Sequence, residues 1–357
     1  MHSFNIAVIA GDGIGKEVVP EGIRVLEAAG QRFNFKFTWR EFDWSCEKYL
    51  HSGIMMPANG LEDLAKSDAI FLGAVGDPRV LDHVSLWGLL IPIRRGFQQY
   101  VNLRPVRLFA GIDSPLKNWK PGEIDFRIVR ENNEGEYSNI GGRLYEGTPH
   151  EMAVQQSIFT RRGVERILRF AFDLARTSKK HVTSATKSNG IIYTMPFWDE
   201  CFQKIAAEYP DVRSDQYHID ILTAHFVRHP DWFDVVVGSN LFGDILSDLG
   251  PAVVGSIGIA PSANLNPEKE FPSMFEPVHG SAPDIAGKGI ANPIGQIWSG
   301  AMMLRHLGQS EAADAVEQAI SSALAKGEVR TADIGGQATT KQMGVEIAKL
   351  VSESGLR

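Results

Sequence analysis

Short apolar runs rich in β-branched residues alternate along this chain with longer stretches whose apolar positions recur every three or four residues. Residues 6–10, 69–73, 126–130, 181–185 and 233–237 are too short for most helices and read as buried strands. Residues 17–29, 160–176 and 198–208 predict amphipathic helices. In the second, Thr160 is the cap, and Val164, Ile167, Leu168, Ala171 and Leu174 share one side. A short helix is predicted at 61–66 and a longer one at 87–101, while helices at 293–307, 312–326 and 339–352 close the chain. Residues 33–42 alternate as a strand, and 216–222 predict another that carries Asp220. Strands alternating with helices predict an α/β fold on a mostly parallel, helix-covered sheet.

Two places break the alternation. Residues 137–160 carry glycines and then alternate through Met152, Val154 and Gln156, which predicts a hairpin. An arm for dimer contacts and a plain surface excursion fit that hairpin equally well. Beyond Pro251 comes a loop rich in glycine, serine and proline, running to the segment Ser273 to Asp284. No internal repeat or low-complexity tract is present.

Candidate chemistry gathers where the strand at 233–237 turns into a helix bearing Asp244 and Asp248. Positions i and i+4 share a helical face, so two like charges stand about one turn apart. Either they form a solvated face or they hold a cation. Leu241, Phe242, Ile245, Leu246 and Leu249 crowd the same helix and favour the cation. Near the start, Gly11, Gly13 and Gly15 fall as G-x-G-x-G, not as the G-x-G-x-x-G of a dinucleotide fingerprint. Glu41 and Asp43 are the acidic residues nearest the expected offset of about 20 residues. Arg94 and Arg104 sit near element ends.

Composition narrows the classes. The chain has 357 residues, 43% hydrophobic and 22% charged, enough for two domains and a large core. A net charge of −7 argues against a broad nucleic-acid surface and against anionic membranes. Cys46 and Cys201 match no disulfide framework and no zinc spacing, so buried thiols in a reducing, cytoplasmic setting are expected. The first residues lack a basic region and read as a strand, not a leader.

The runs Asn240-Leu241-Phe242-Gly243-Asp244-Ile245-Leu246-Ser247-Asp248, Gly11-Asp12-Gly13-Ile14-Gly15, Asn102-Leu103-Arg104-Pro105, Val129-Arg130-Glu131, Thr186-Lys187-Ser188-Asn189 and His279-Gly280-Ser281-Ala282-Pro283-Asp284-Ile285 occur in this order over nearly the whole chain. Together they resemble the pyridine-nucleotide β-decarboxylating dehydrogenases, which include isopropylmalate, isocitrate and tartrate/D-malate dehydrogenases. The resemblance implies a two-domain, isopropylmalate-dehydrogenase-like fold, with a parallel or mixed central sheet flanked by helices. The large cofactor-binding domain would be 1–100 plus 257–357. The small substrate and dimerisation domain would be 101–256, with a dimer-forming arm at about 137–160. The active site would lie in the cleft between the domains of a homodimer.

It also implies roles. Arg94, Arg104 and Arg130 would clamp the carboxylates of a small dicarboxylate hydroxy acid, as planar guanidinium suits. Asp244 and Asp248, with Asp220 from the other subunit, would hold Mn²⁺ or Mg²⁺ against the substrate's hydroxyl and carboxylate, and K⁺ is a further ion the family admits. Tyr137 would be the general acid, and Lys187, donated by the partner subunit, would relay the proton. Ile14, His279, Gly280, Ser281, Ala282, Asp284 and Asn292 would bind the adenosine part of the cofactor. Asp284 would accept from the ribose hydroxyls and repel a 2′-phosphate, which favours NAD.

Substrate choice would be read just before Arg94, where Trp87 replaces the glutamate of isopropylmalate enzymes and Leu90 follows. A bulky ring there favours a small C3 substituent, so oxidation and decarboxylation of (R)-malate to pyruvate and CO₂, and oxidation of tartrate, are expected. Ser85 is the serine nearest the position isocitrate enzymes use and lies upstream of it. Asn133 stands where relatives often carry threonine. The alternatives are isopropylmalate or isocitrate chemistry, and, from another class, a non-catalytic binding protein on the same scaffold. The last would have lost a member of the set, and none is missing.

Overall fold

A computed structural model of the chain describes residues 2–353. Its strands are β1 (His2–Gly11), β2 (Phe35–Glu41), β3 (Ala69–Ala74), β4 (Val101–Arg107), β5 (Asp125–Glu131), β6 (Gly141–Leu144), β7 (Met152–Gln155), β8 (His181–Thr186), β9 (Arg213–His218), β10 (Val235–Gly238), β11 (Pro261–Leu265) and β12 (Ser273–Pro277). The chain forms two compact units. One takes the chain up to Gln99, Leu103–Asp125 and the chain from Gly250 onward, and the other takes Tyr100–Asn102 and Phe126–Leu249.

In the first unit the strands are ordered β2-β1-β3-β12-β11-β4. β1 runs parallel to β2 and β3, β12 parallel to β3, and β11 antiparallel to β12. Ile6, Ile9, Ile70, Phe71 and Phe275 are buried in this sheet, each contributing on the order of 1.5–3 kcal/mol of transfer free energy. Helix Ile294–His306 is buried from Ile294 to Leu304. It packs on helices Gly15–Phe33 and Ser310–Lys326, which explains its apolar character all round.

In the second unit the order is β5-β10-β8-β9, every pair parallel. Val235, Val236 and Val237 are fully buried in the middle of it; Phe126 meets Phe226 and Phe233 edge-on, and those two pack against each other at a tilt. Helix Arg161–Arg176 starts at Thr160, whose hydroxyl accepts from the Gly163 N–H. The expected hairpin forms as the antiparallel pair β6 and β7, with each of its residues exposed.

Several sequence expectations are corrected. The helix expected over 87–101 is a π turn at Leu86–Leu90 followed by Ile91–Gly96, with Pro92 near its start, where a missing N–H costs least. The strand expected to carry Asp220 stops at His218, and helix Ile219–Arg228 begins there. Leu222 and Phe226, both fully buried and four apart, show the helical period that the strand reading missed. The loop expected after Pro251 contains β11, and the segment from Ser273, for which no element was expected, opens with β12; both are buried yet carry proline and polar residues, so neither an apolar run nor an alternation marks them. The division into units also departs from the expected limits, since 103–125 and 250–256 go with the first unit. Ser114 bonds Val253, Phe109 meets Trp298 edge-on, and a side chain at Gly111 would strike the Leu324 carbonyl.

Candidate active site

Helix Asn240–Val253 follows β10 at its carboxyl end, where ligands of parallel sheets gather. Its first turn lies under Arg130, at the end of β5. A Cβ on Gly243 would come within 2.5 Å of the Arg130 Cβ, so only glycine lets the arginine cross here. Arg130 is buried. Its Nε and Nη2 donate to the Asn240 side-chain oxygen at 3.0 and 2.7 Å, and Nη1 pairs with Asp244. The Tyr137 hydroxyl donates to the other Asp244 oxygen at 2.7 Å, and Arg130 lies over its ring. Burial first, then that hydrogen bond to Asp244, push the Tyr137 phenol up to about 12.

The face bearing Asp244 and Asp248 is more open than the sequence suggested. Phe242 and Leu246 are buried, but Asp248 is exposed and Ile245 is 47% exposed. A purely apolar surround therefore does not set this pair apart. Asp220, in the first turn of its helix, accepts from the Lys187 ammonium at 3.0 Å, which holds its carboxyl below the usual range. Among the described residues of one chain no three His, Cys, Asp or Glu side chains come together as a metal set, so Asp220 does not join Asp244 and Asp248 within it.

Three carboxylates that the sequence reading left without a role hold the loop at 131–137. Glu131, fully buried, accepts from the N–H groups of Asn133 and Glu134; desolvation pushes it up to about 7. Glu134 accepts from the Thr160 N–H and hydroxyl, both at 2.8 Å. Glu136 accepts from the Ser239 hydroxyl at 2.7 Å and the Leu241 N–H at 3.0 Å. The alternation of Glu134 and Glu136 about Gly135 was the available signal.

The first unit carries the other predicted residues. The turn after β1 meets the segment after β12: Ile14 N–H donates to the Ser281 carbonyl at 2.9 Å, and a Cβ on Gly13 would stand 2.0 Å from that oxygen. Asp12 ties the same turn down by accepting from the N–H groups of Cys46 and Gly76. The Cys46 thiol is buried and pushed up to about 12, so it is inert at neutral pH. Ile14, Val18 and Ala291 form an apolar cluster with Ala282, Ile285 and Ala286. The buried Nε2 of His279 finds no partner, and a side chain at Gly280 would meet open space. Asn292 donates to Asp333, and Asp284 is exposed. Of the substrate-side residues, Arg94 is buried and donates to Glu276 at 2.8 Å, Arg104 is buried on β4, Arg95 lies over the Trp87 ring, and Leu90 packs against the core under Leu89. None of the described helices is long and apolar enough to cross a membrane.

The chain belongs to the isocitrate/isopropylmalate dehydrogenase family, whose model matches residues 5–347. It is an oxidoreductase of the decarboxylating hydroxy-acid dehydrogenase class. Among its relatives are the D-malate dehydrogenase (decarboxylating) of Escherichia coli K12, 58% identical over 98% of this chain and 99% of that one, and the tartrate dehydrogenase/decarboxylase of Pseudomonas putida, 59% identical over 97% of each. The crystal structure of isocitrate dehydrogenase from Methylococcus capsulatus superposes with a TM-score of 0.89 at 34% identity, covering 99% of this chain and all of that one.

Proposed function

We propose that this enzyme oxidises (R)-malate with NAD, releasing pyruvate and CO₂, and also oxidises tartrate, using a divalent metal ion. One observation carries the reaction type: the Tyr137 hydroxyl, at 2.7 Å from Asp244, joins a proton donor to a carboxylate that shares a helical face with Asp248. The substrates follow from the relatives named for D-malate and tartrate at 58% and 59% identity; Trp87, standing in sequence where isopropylmalate enzymes carry a glutamate, supports a small C3 substituent.

Asp244 and Asp248 supply hard oxygen donors, which suit Mg²⁺ or Mn²⁺. With Asp220 from a second copy in a homodimer they would form the set that holds the ion. When bound, such an ion lowers the pKa of a coordinated hydroxyl and stabilises negative charge on its oxygen. The NAD residues fit as well. The apolar wall around Ile14 and Ala282 suits an adenine ring, the open space at Gly280 and the unpartnered His279 Nε2 suit a polar ligand close to the main chain, and exposed Asp284 suits ribose hydroxyls. NAD supplies the acceptor for the hydride.

The chain's own groups do the rest. Arg130, fixed in plane by Asn240, presents a guanidinium to a substrate carboxylate, and Arg94 and Arg104 take the other one. Lys187, acting across the dimer with its neighbour Asp220, would relay the hydroxyl proton, taking it only in its neutral amine form after passing its own proton to solvent. Tyr137, kept protonated by burial and by Asp244, delivers a proton to the carbon that loses CO₂.

The test is NADH formation with Mn²⁺ and D-malate, L-tartrate, meso-tartrate, isopropylmalate or isocitrate as substrate. D-malate is expected to give the highest kcat/KM, with tartrate next. A dominant kcat/KM for isopropylmalate or isocitrate overturns the substrate assignment, and no turnover of any of them overturns the catalytic one.

A further inference from the structure

We propose that Glu136 is a positioning residue that locks the loop bearing Tyr137 to the helix bearing Asp244 and Asp248, so that the proton donor and the metal ligands are set as one unit. The proposal rests on the roles given above to those three residues.

The first N–H groups of a helix have no partner inside it, and a carboxylate that accepts from them satisfies both the hydrogen bond and the helix dipole. Glu136 does this at the start of helix Asn240–Val253: one oxygen takes the Ser239 hydroxyl at 2.7 Å and the other the Leu241 N–H at 3.0 Å. The next residue, Tyr137, touches the same helix at Asp244. Leu241 and Asp244 are i and i+3 and lie on one face, so two successive loop residues grip the helix about a turn apart. Arg130 already holds this helix at Asn240 and Asp244, and the Asn240 amide donates to the Glu134 carbonyl at 3.1 Å. What Glu136 adds is a hold on Ser239 and Leu241, at the start of the helix, next to the one Tyr137 makes at Asp244.

The loop has a separate anchor of its own. Gly135, at φ +90°, exchanges main-chain hydrogen bonds with Ile158 at 2.7 and 3.0 Å, and Glu134 caps the other helix through Thr160. Loss of Glu136 therefore removes a link to the Asp244 helix without removing what folds the loop. Catalytic groups misplaced by as little as 1 Å cost on the order of a hundredfold in rate, so a loosened grip shows in turnover before it shows in folding.

Glu136→Ala is expected to lower kcat for D-malate by about tenfold, equivalent to ~1.4 kcal/mol, and to weaken Mn²⁺ binding severalfold, measured from the EPR signal of free Mn²⁺. The KM for NAD should stay within about twofold, because the nucleotide residues lie elsewhere in the chain. Glu136→Gln keeps an acceptor for the Leu241 N–H and should recover most of both losses. Ser239→Ala removes one of the two bonds, along with the weak one its hydroxyl accepts from the Phe242 N–H at 3.4 Å, and should shift kcat and Mn²⁺ affinity the same way by a smaller factor. A lowered melting temperature with kcat and Mn²⁺ affinity intact would mean that Glu136 only stabilises the loop, and sinks the proposal. So would a Glu136→Ala loss that Gln does not recover. The Mn²⁺ readout needs no substrate, so failure of the D-malate assignment in the wild type leaves this test standing.

Discussion

The two halves of the proposed chemistry are built from different materials. Around helix Asn240–Val253 most links run through a carboxylate: Glu131 and Glu134 fold the loop, Glu136 caps the helix, and Asp244 takes Tyr137 and Arg130. Around residues 11–14 and 279–282 the links are mostly main chain against main chain, with Ile14 N–H on the Ser281 carbonyl, Gly13 where no Cβ fits, and a carboxylate, Asp12, that accepts from main-chain N–H groups. A site made of carboxylates can be switched off at constant volume by removing charge, and it answers to pH. A site made of backbone is indifferent to charge and is broken by a single methyl group. The first suits work that moves protons and holds cations; the second suits close approach to an anionic cofactor.

The largest expected effect breaks the carboxylate half without changing its shape. Asp244→Asn replaces an oxygen donor that pairs with Arg130 and Tyr137 by a neutral amide of nearly equal size. Turnover should fall by on the order of 10³-fold, ~4 kcal/mol, with the KM for NAD nearly unchanged. Full metal-dependent activity in that variant would remove the metal assignment. Next comes the matching insult to the backbone half. In Gly13→Ala the new methyl would stand 2.0 Å from the Ser281 carbonyl oxygen at a residue with φ +51°, so either the turn or the 281 segment must move. The KM for NAD should rise about tenfold or more and stability should fall by roughly 2–4 kcal/mol, while Mn²⁺ affinity is retained. Equal losses in the two affinities would show that the regions are not separable.

Most of the frame was legible in the sequence because it depends on local pattern. Apolar runs announced β1, β3 and β10, a short segment at 181–185 announced β8, and glycine followed by alternation announced β6 and β7. Where a buried strand carries proline and polar residues pattern fails, so β11 passed for a loop and β12 was given no element. Asp220 was placed on a strand because a three-residue overlap between strand and helix periods decides nothing by itself. The motifs brought the right residue types into view, but what holds each of them is set by contacts far apart in sequence. Glu136 meets Leu241, 105 positions on, and Arg94 meets Glu276, 182 positions on. No window along the chain contains both partners, so the carboxylates that fasten the site had no visible role until the fold placed them.

The smallest expected effect uses pH to tell the two materials apart. Burial raises the Glu131 carboxyl from its ordinary 4.5 to about 7. With the folded-state value above the unfolded one, the group's contribution to stability is complete below about pH 4.5 and is lost as pH rises through about 7. Glu131→Gln keeps one acceptor oxygen for the Asn133 and Glu134 N–H groups and cannot ionise. Relative to the wild type it should therefore gain stability between pH 5 and pH 8, by about 1–3 kcal/mol, read from urea melts at the two pH values. The same measurement on Gly13→Ala should give a curve parallel to that of the wild type, because its loss is steric. If Glu131→Gln also ran parallel to the wild type, the buried carboxyl would be neutral or charged in both states alike, and the loop under Tyr137 would owe its shape to the main chain just as the turn after β1 does.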